Sequence, residues 1–317
     1  MYNFNIDSHI LQDLLASSIE ASIAARKLFG KGSEKEADFY AVSAMRNSLN
    51  NANIDGTIVI GEGERDEAPM LYVGEKVGRG IGPTIDIAVD PLEGTTILAT
   101  AGAGALSVIA ASNKGTMLNA PDTYMEKIAT GFEFSEQIID LDQTIEENLK
   151  VVAKAKRQNI EDLLVIVLAR PRHEELIAKI REKKARVKLI SDGDISAIIQ
   201  TTNIGYADLY VGIGGAPEGV LAASALQTLG GQMCARLLIN SEQEKMRAAK
   251  LGITDFSKKY YLDNLAPKNA LFVATGVTDG DLLKGISYTN NKIGTNSLML
   301  NGYKKTIDFV ESTRIIE

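Results

Sequence analysis

The sequence predicts an α/β fold in two packed domains, each a sheet covered by helices. Three observations carry that prediction. Short β-branched runs alternate with helical stretches through most of the chain. At 317 residues the chain is longer than one small core needs and suits two. A hydrophobic content of 45% with 24% charged residues is that of a globular chain, so disorder is not the default.

Leu11, Leu14, Leu15, Ile19 and Ile23 fall on one face of a first helix. Ala37, Ala41, Ala44, Met45 and Leu49 do the same for a second. Between them Gly30-Lys31-Gly32-Ser33 reads as a loop, with Ser33 available as a helix cap. Residues 57–60 then read as a strand, 68–77 as a helix, and 84–89 and 106–111 as strands. Lys114-Gly115 reads as a turn into a further strand, and a polar helix follows over 144–157. From there the pattern is strand 163–169, helix 173–184, strand 187–190 and helix 195–201. Strand 209–213, helix 219–229 and strand 271–274 complete it. The predicted division lies near residue 160: an N-terminal domain over 1–160 and a C-terminal one over 161–294. Residues 295–317, with strands inside 297–310, are free to return to the first. The sequence shows no internal repeat or low-complexity segment.

Several function classes are poorly supported. A net charge of −7 argues against a nucleic-acid surface, which needs clustered Lys and Arg. It does not argue against an anionic substrate, since a few placed cations or a metal reverse a local field. Cys234, the single cysteine, excludes an internal disulfide and a Cys-based zinc site. With only His9 and His173 in the chain, a Cys-His or Ser-His-Asp arrangement is hard to assemble. The start, Met1-Tyr2-Asn3-Phe4-Asn5-Ile6-Asp7, lacks the basic and apolar regions of a signal peptide. The longest apolar run, 163–169, falls far short of the roughly 18 residues that span a bilayer. A soluble, cytoplasmic protein without nucleic-acid or membrane partners is expected.

The chemistry concentrates in Asp90-Pro91-Leu92-Glu93-Gly94-Thr95-Thr96, directly after the strand at 84–89. Carboxylates three residues apart at a strand end suit a hard divalent cation, which takes oxygen ligands. Gly94 lets backbone N–H groups approach an anion, and Thr95 can hold an attacking water. Taken alone, the string also reads as an ordinary acidic turn. Ile60-Gly61-Glu62-Gly63-Glu64 puts a carboxylate between glycines at another strand end, where a structural glutamate has nothing to pack on. Asp66 stands where a third glycine would complete a dinucleotide fingerprint, so that reading is discarded. Ala216-Pro217-Glu218-Gly219 follows the strand at 209–213, and Asp38 opens the second helix. Singly these acids fit a helix-dipole carboxylate or solvated loops. Together, Asp90, Glu93, Glu62 and Glu218 sit at strand exits beside glycine, where open α/β sheets place ligands. Carboxylates gathered there repel unless cations neutralise them, and a pair of divalent ions also suits phosphoryl transfer.

Complementary groups exist. Arg170-Pro171-Arg172 ends the strand at 163–169, and a guanidinium there can grip a phosphate. Asp192-Gly193-Asp194 suits sugar hydroxyls or, equally, a helix N-cap. Tyr124 can offer its hydroxyl to a phosphate or stack on a loop.

These residues carry a close resemblance. Ile-Gly-Glu-Gly-Glu-x-Asp-Glu-Ala-Pro-Met-Leu-Tyr (60–72), Asp-Pro-Leu-Glu-Gly-Thr (90–95) and Asn-Ala-Pro-Asp-x-Tyr-Met-Glu-Lys (119–127) resemble class II fructose-1,6-bisphosphatase. So do Pro-Arg-His (171–173), Asp-Gly-Asp (192–194) and Gly-Ile-Gly-Gly-Ala-Pro-Glu-Gly-Val (212–220). The resemblance covers about residues 24 to 310. It implies the layered α/β sandwich of the lithium-sensitive, inositol monophosphatase-like sugar phosphatases. It also implies Asp38 and Glu62 on one metal, and Asp90, Glu93 and Glu218 around a second, with Mn²⁺ or Mg²⁺ expected. Substrate would be lined by Glu93, Gly94, Thr95, Tyr124, Arg170, Pro171, Arg172, Asp192, Gly193, Asp194 and Gly215. Homo-oligomers are expected on the same ground. One departure stands out: where the family reads Gly-x-Gly-Asp-Lys, this chain has Gly30-Lys31-Gly32-Ser33-Glu34, with Lys35 one position on.

The implied reaction is hydrolysis of the 1-phosphate of fructose 1,6-bisphosphate, with Thr95, Glu62 and Asp38 as the catalytic group. Thr95 and Glu62 would hold the attacking water, Arg170 and Arg172 would anchor the 6-phosphate, and Asp192 and Asp194 would read the sugar hydroxyls. Alternatives are a dual fructose-1,6-/sedoheptulose-1,7-bisphosphatase, an inositol-type monophosphatase without need of the arginines, and a catalytically weak sugar-phosphate-binding regulator suggested by Ser33-Glu34.

Overall fold

A computed structural model describes residues 8–63, 70–131 and 136–316. Glu64, Asp66 and the rest of 64–69, with the 1–7 start, lie outside the described residues. The chain forms two compact units, residues 1–118 with 267–317 and residues 119–266.

The first unit opens with α1 (Ser8–Arg26) and α2 (Glu34–Leu49). It continues with β1 (Asp55–Ile60), β2 (Lys76–Val77), β3 (Thr84–Glu93), α3 (Thr95–Ala99) and β4 (Leu106–Asn113). Both opening helices run where the apolar stripes predicted. Their inner faces, including Leu14, Met45 and Leu49, are buried in one cluster with Ile58, Ile87 and Ile109 of the sheet. α1 also buries serines. Ser18 Oγ donates to Ser107 O (3.0 Å) and lies 2.8 Å from the Thr275 hydroxyl, so hydrogen bonds as well as apolar area seat this helix on the sheet.

The helix expected at 68–77 is absent from its described part. Residues 70–75 instead run back along β1. Ile58 N–H donates to Glu75 O (2.9 Å), and Gly74 N–H donates to Ile58 O (2.8 Å). Backbone groups spent on a neighbouring strand cannot serve a helix, and the segment ends as β2, antiparallel to β1.

The second unit contains β5 (Tyr124–Thr130), α4 (Ile145–Lys156), β6 (Leu164–Leu168), a 3₁₀ turn at Pro171–His173, α5 (Glu174–Glu182) and β7 (Arg186–Ile190). It goes on through α6 (Asp194–Ile199), β8 (Leu209–Gly215), α7 (Ala216–Leu229), β9 (Gln232–Leu238), α8 (Glu242–Lys250), β10 (Lys259–Tyr261) and α9 (Leu262–Leu265). Its sheet runs β10-β9-β5-β8-β6-β7. β6 is parallel to β7 and β8, while β5 is antiparallel to β8 and β9. The polar helix at 144–157 is α4, started by a Thr144–Glu147 capping box. Ile128, Val165, Val167, Leu209 and Val211 of the sheet pack on Leu149, Val152 and Ile180 of its helices.

The chain then returns to the first unit as β11 (Leu271–Gly276), β12 (Ser287–Thr289), β13 (Lys292–Asn301) and β14 (Thr306–Ile315). That sheet runs β12-β13-β11-β4-β3-β1-β2, with β14 on β13. The division therefore falls at Asn119, not near residue 160. β5 is hydrogen-bonded between β8 and β9, which commits the chain to the second unit early. β11, expected in the second domain, lies between β4 and β13 of the first sheet. No helix among the described residues is long and apolar enough to cross a membrane.

Candidate active site

In the first unit the site is built on the end of β3. That strand runs on past its predicted end to Glu93, with a register break against β4 between Asp90 and Glu93. The break lets the chain turn at Pro91-Leu92 while Glu93 stays buried and Asp90 half-buried. Gly94 follows with φ +86°, a left-handed conformation that costs a side chain strain, and Thr95 opens α3. β1 runs parallel beside β3 with Ile60 opposite Ala88, so Glu62, two residues on, leaves the sheet next to the Asp90 end. Glu62 is held there through its own N–H, which donates to Leu71 O (3.0 Å).

Asp38 stands in the first turns of α2, a helix that packs on α3 and β3. Burial raises its pKa above the ordinary carboxylate value. The loop before it is tied to α3, with Gly30 N–H donating to Leu98 O (2.9 Å) and Gly32 N–H to Ala99 O (3.0 Å). Ser33 occupies the N-cap position of α2 but its side chain makes no cap bond, and Glu34 and Lys35 are exposed.

In the second unit a different set converges at the end of β8. Lys127, fully buried on β5, forms an ion pair with Asp194 at the start of α6 and donates to Gly215 O (2.8 Å). A Cβ at Gly214 would collide with the Asp194 carboxylate, and one at Gly215 with the Glu218 carboxylate. The two glycines therefore let these acids lie flat against the strand exit. Glu218 has its pKa raised by burial, with Lys127 opposing the shift.

Asp194 is thus spent on Lys127. Gly193 is the left-handed N-cap residue of α6, and half-buried Asp192 accepts from the Gly193 N–H (3.0 Å). Tyr124 is half-exposed, opposite Gly215 in the β5–β8 register, and the Arg172 guanidinium lies over its ring at 4.9 Å. Arg170 is half-buried and Pro171 exposed in the turn between β6 and α5. A cavity of about 590 Å³ on the α4/α5 side of this sheet is lined in part by Arg172, His173, Gly212 and Ile213. Its remaining walls mix acids such as Glu126, Glu146 and Glu175 with Lys179 and Lys183.

Two residues, Lys127 and His173, stand in the quoted motifs without a role drawn from the sequence. A lysine between Met125, Ile128 and Ala129 gives no sign that it is buried; only the glycines of β8 opposite it signal room. His173 is buried and bonded at both nitrogens. Nδ1 lies 2.8 Å from Leu168 O, and the Ile213 N–H donates to Nε2 (2.8 Å). A carbonyl only accepts and an N–H only donates, so the ring is neutral and carries its proton on Nδ1. Burial lowers its pKa, in accord.

The fit of a metal rests on donor chemistry. Asp38, Glu62, Asp90 and Glu93 of the first unit offer oxygen alone, as does Glu218 of the second, which is the donor set of a hard divalent cation. Desolvation that raises the Asp38 and Glu218 pKa values is what a bound cation would reverse. Among the described residues, no three such side chains are drawn into one ligand cluster.

Residues 8–314 match the family model described as "Bacterial fructose-1,6-bisphosphatase, glpX-encoded". The chain is 45% identical to "Fructose-1,6-bisphosphatase 1 class 2" of Escherichia coli (strain K12), over 94% of this chain and 92% of that one. It is 43% identical to the class 2 fructose-1,6-bisphosphatase of Haemophilus influenzae, over 94% and 93%. A Synechococcus relative (strain RCC307) named "D-fructose 1,6-bisphosphatase class 2/sedoheptulose 1,7-bisphosphatase" is 39% identical over 98% and 97%. On the match across residues 8–314 and these identities, the chain belongs to the class II fructose-1,6-bisphosphatase family.

Proposed function

We propose that the chain hydrolyses the 1-phosphate of fructose 1,6-bisphosphate to fructose 6-phosphate and inorganic phosphate. The single observation that carries this reading is the family match over residues 8–314, which takes in both groups of site residues. Divalent cations, Mn²⁺ or Mg²⁺ at two sites, would be held by Asp38 and Glu62 and by Asp90, Glu93 and Glu218. When bound they would supply a Lewis acid for the phosphoryl oxygens and lower the pKa of a coordinated water.

The chain's own residues do the rest. Thr95, at the start of α3, and Glu62 orient the attacking water toward phosphorus. Glu93, Gly94 and Thr95 present backbone and hydroxyl groups to the scissile phosphate. Arg172, with Arg170, anchors the 6-phosphate, so binding energy far from the reacting atom positions it. The Tyr124 ring limits where the Arg172 guanidinium can stand. Asp192 reads sugar hydroxyls, while Asp194 is paired with Lys127. The names of relatives such as the Synechococcus one favour a second reading, in which sedoheptulose 1,7-bisphosphate is also hydrolysed.

A cytoplasmic homo-oligomer belongs to the same proposal. The single cysteine, Cys234, is free and buried, as suits a reducing compartment. The exposed apolar side chains Phe309 and Ile315 of β14 support self-association. Light scattering of the purified chain tests the latter. Phosphate release from each bisphosphate, with metal or EDTA, tests the activity.

A further inference from the structure

We infer that His173 is a positioning residue for recognition of the second phosphate: it fixes the Arg170–Arg172 turn against β8 and so sets where Arg172 stands. The inference deepens the reading of Arg172 as the 6-phosphate anchor and rests on it. β6 and β8 pair only at Val165–Leu209 and Ile166–Tyr210. Past Tyr210, no strand among the described residues pairs with β8 on that side, yet β8 still delivers Gly215 and, in the first turn of α7, Glu218. Two consecutive side chains take the place of the missing strand. His173 Nε2 accepts the Ile213 N–H (2.8 Å), and Arg172 donates from Nε (3.1 Å) and from a terminal nitrogen (2.7 Å) to Ile213 O. One peptide neighbourhood on β8 is thus held through both its donor and its acceptor.

The other side of the ring is tied equally. Leu168 O, at the end of β6, takes both the His173 Nδ1 proton (2.8 Å) and the Arg170 N–H (2.9 Å). The Arg170 carbonyl accepts the His173 N–H (2.9 Å), closing the turn. The imidazole lies on Gly212, whose Cβ would stand 3.2 Å from the ring, so the strand leaves it room. A neutral imidazole can donate on one nitrogen and accept on the other, and so links the β6 end to the β8 exit through its ring alone. Arg172 itself is exposed; its aim is set by Ile213 O, by the Tyr124 ring and by the turn that His173 pins.

The test compares fructose 1,6-bisphosphate with fructose 1-phosphate, which lacks the second phosphate, in R172A, H173A, H173Q and the R172A/H173A double variant. Folding is checked by circular dichroism and urea unfolding; H173Q, close in length to histidine, carries the comparison where H173A does not fold. The expected result is a kcat/KM loss about tenfold larger for the bisphosphate than for the monophosphate, mainly in KM, as one displaced charge-assisted hydrogen bond produces. In the R172A background the His173 change adds no further discrimination. Equal losses on both substrates, or full additivity with R172A, would overturn the role given to His173 while leaving Arg172 the anchor. R172A without discrimination would overturn the anchor reading itself, and the inference with it.

Discussion

Lys127 reaches from the middle of β5 to form a fully buried ion pair with Asp194, the first residue of α6. The same ammonium donates to the carbonyl of Gly215, three residues before Glu218. One cation therefore supports a helix start, a strand exit and a proposed metal ligand. Replacing Lys127 by methionine leaves the Asp194 carboxylate buried without its partner, which is expected to cost about 3–5 kcal/mol in urea unfolding. A D194N change in that background should restore part of the loss. A single variant within about 1 kcal/mol of wild type would contradict the pairing's structural weight.

Gly215→Ala puts a methyl group where the Glu218 carboxylate lies. The expected outcome is a kcat lower by about 100-fold, from misplacement on the ångström scale, with the fold retained. Unchanged kcat with unchanged circular dichroism would show that Glu218 need not lie against the strand.

Glu218→Gln keeps the shape and removes the charge. Binding to the native state alone raises thermal stability, so Mn²⁺ should raise the melting temperature of the wild type more than that of the variant. Turnover should be abolished while the metal-free melting temperature stays near or above that of wild type, because burial already disfavours the charged form. Near-normal activity in E218Q would remove Glu218 from the metal set.

The depressed pKa of His173 gives stability a pH dependence of defined sign. As pH falls below about 6.5, the unfolded chain takes up a proton that the buried ring does not, so stability falls until the folded pKa is reached. Asp38, Asp86 and Glu126, whose pKa values are raised by burial, act in the opposite direction and mainly at lower pH. The difference between wild type and H173Q in EDTA isolates the histidine. Urea unfolding between pH 7.5 and about pH 5 should show a steeper loss in wild type. Parallel curves would exclude a neutral buried imidazole.

Much of this was legible in the sequence because local signals agreed with tertiary demands. The apolar stripes of α1 and α2 and the polar helix at 144–157 stand where the sequence put them, and Glu62 and Glu93 do lie at strand exits beside glycine. What failed did so for non-local reasons. Residues 70–75 have helical spacing, but their backbone is bonded to β1, which no local pattern encodes. The boundary near 160 followed the change to β-α-β style, whereas β5 had joined β8 and β9 earlier. Asp192 and Asp194 look equivalent in sequence; only Lys127, 67 positions before Asp194, separates their roles. His173 stands in the Pro-Arg-His motif as one of two histidines in the chain, and no local pattern signals the two backbone groups, from β6 and β8, that it joins.

Phosphate release from fructose 1,6-bisphosphate by the purified chain decides whether this is a divalent-metal phosphatase acting on a sugar bisphosphate. The assay includes Mn²⁺, Mg²⁺ or EDTA, with sedoheptulose 1,7-bisphosphate and inositol 1-phosphate in parallel. Release from fructose 1,6-bisphosphate should require the metal and be abolished by EDTA, with little release from the inositol ester. Absence of release from every substrate by folded, metal-loaded protein would contradict that reading and turn attention to Ser33-Glu34 and a binding role.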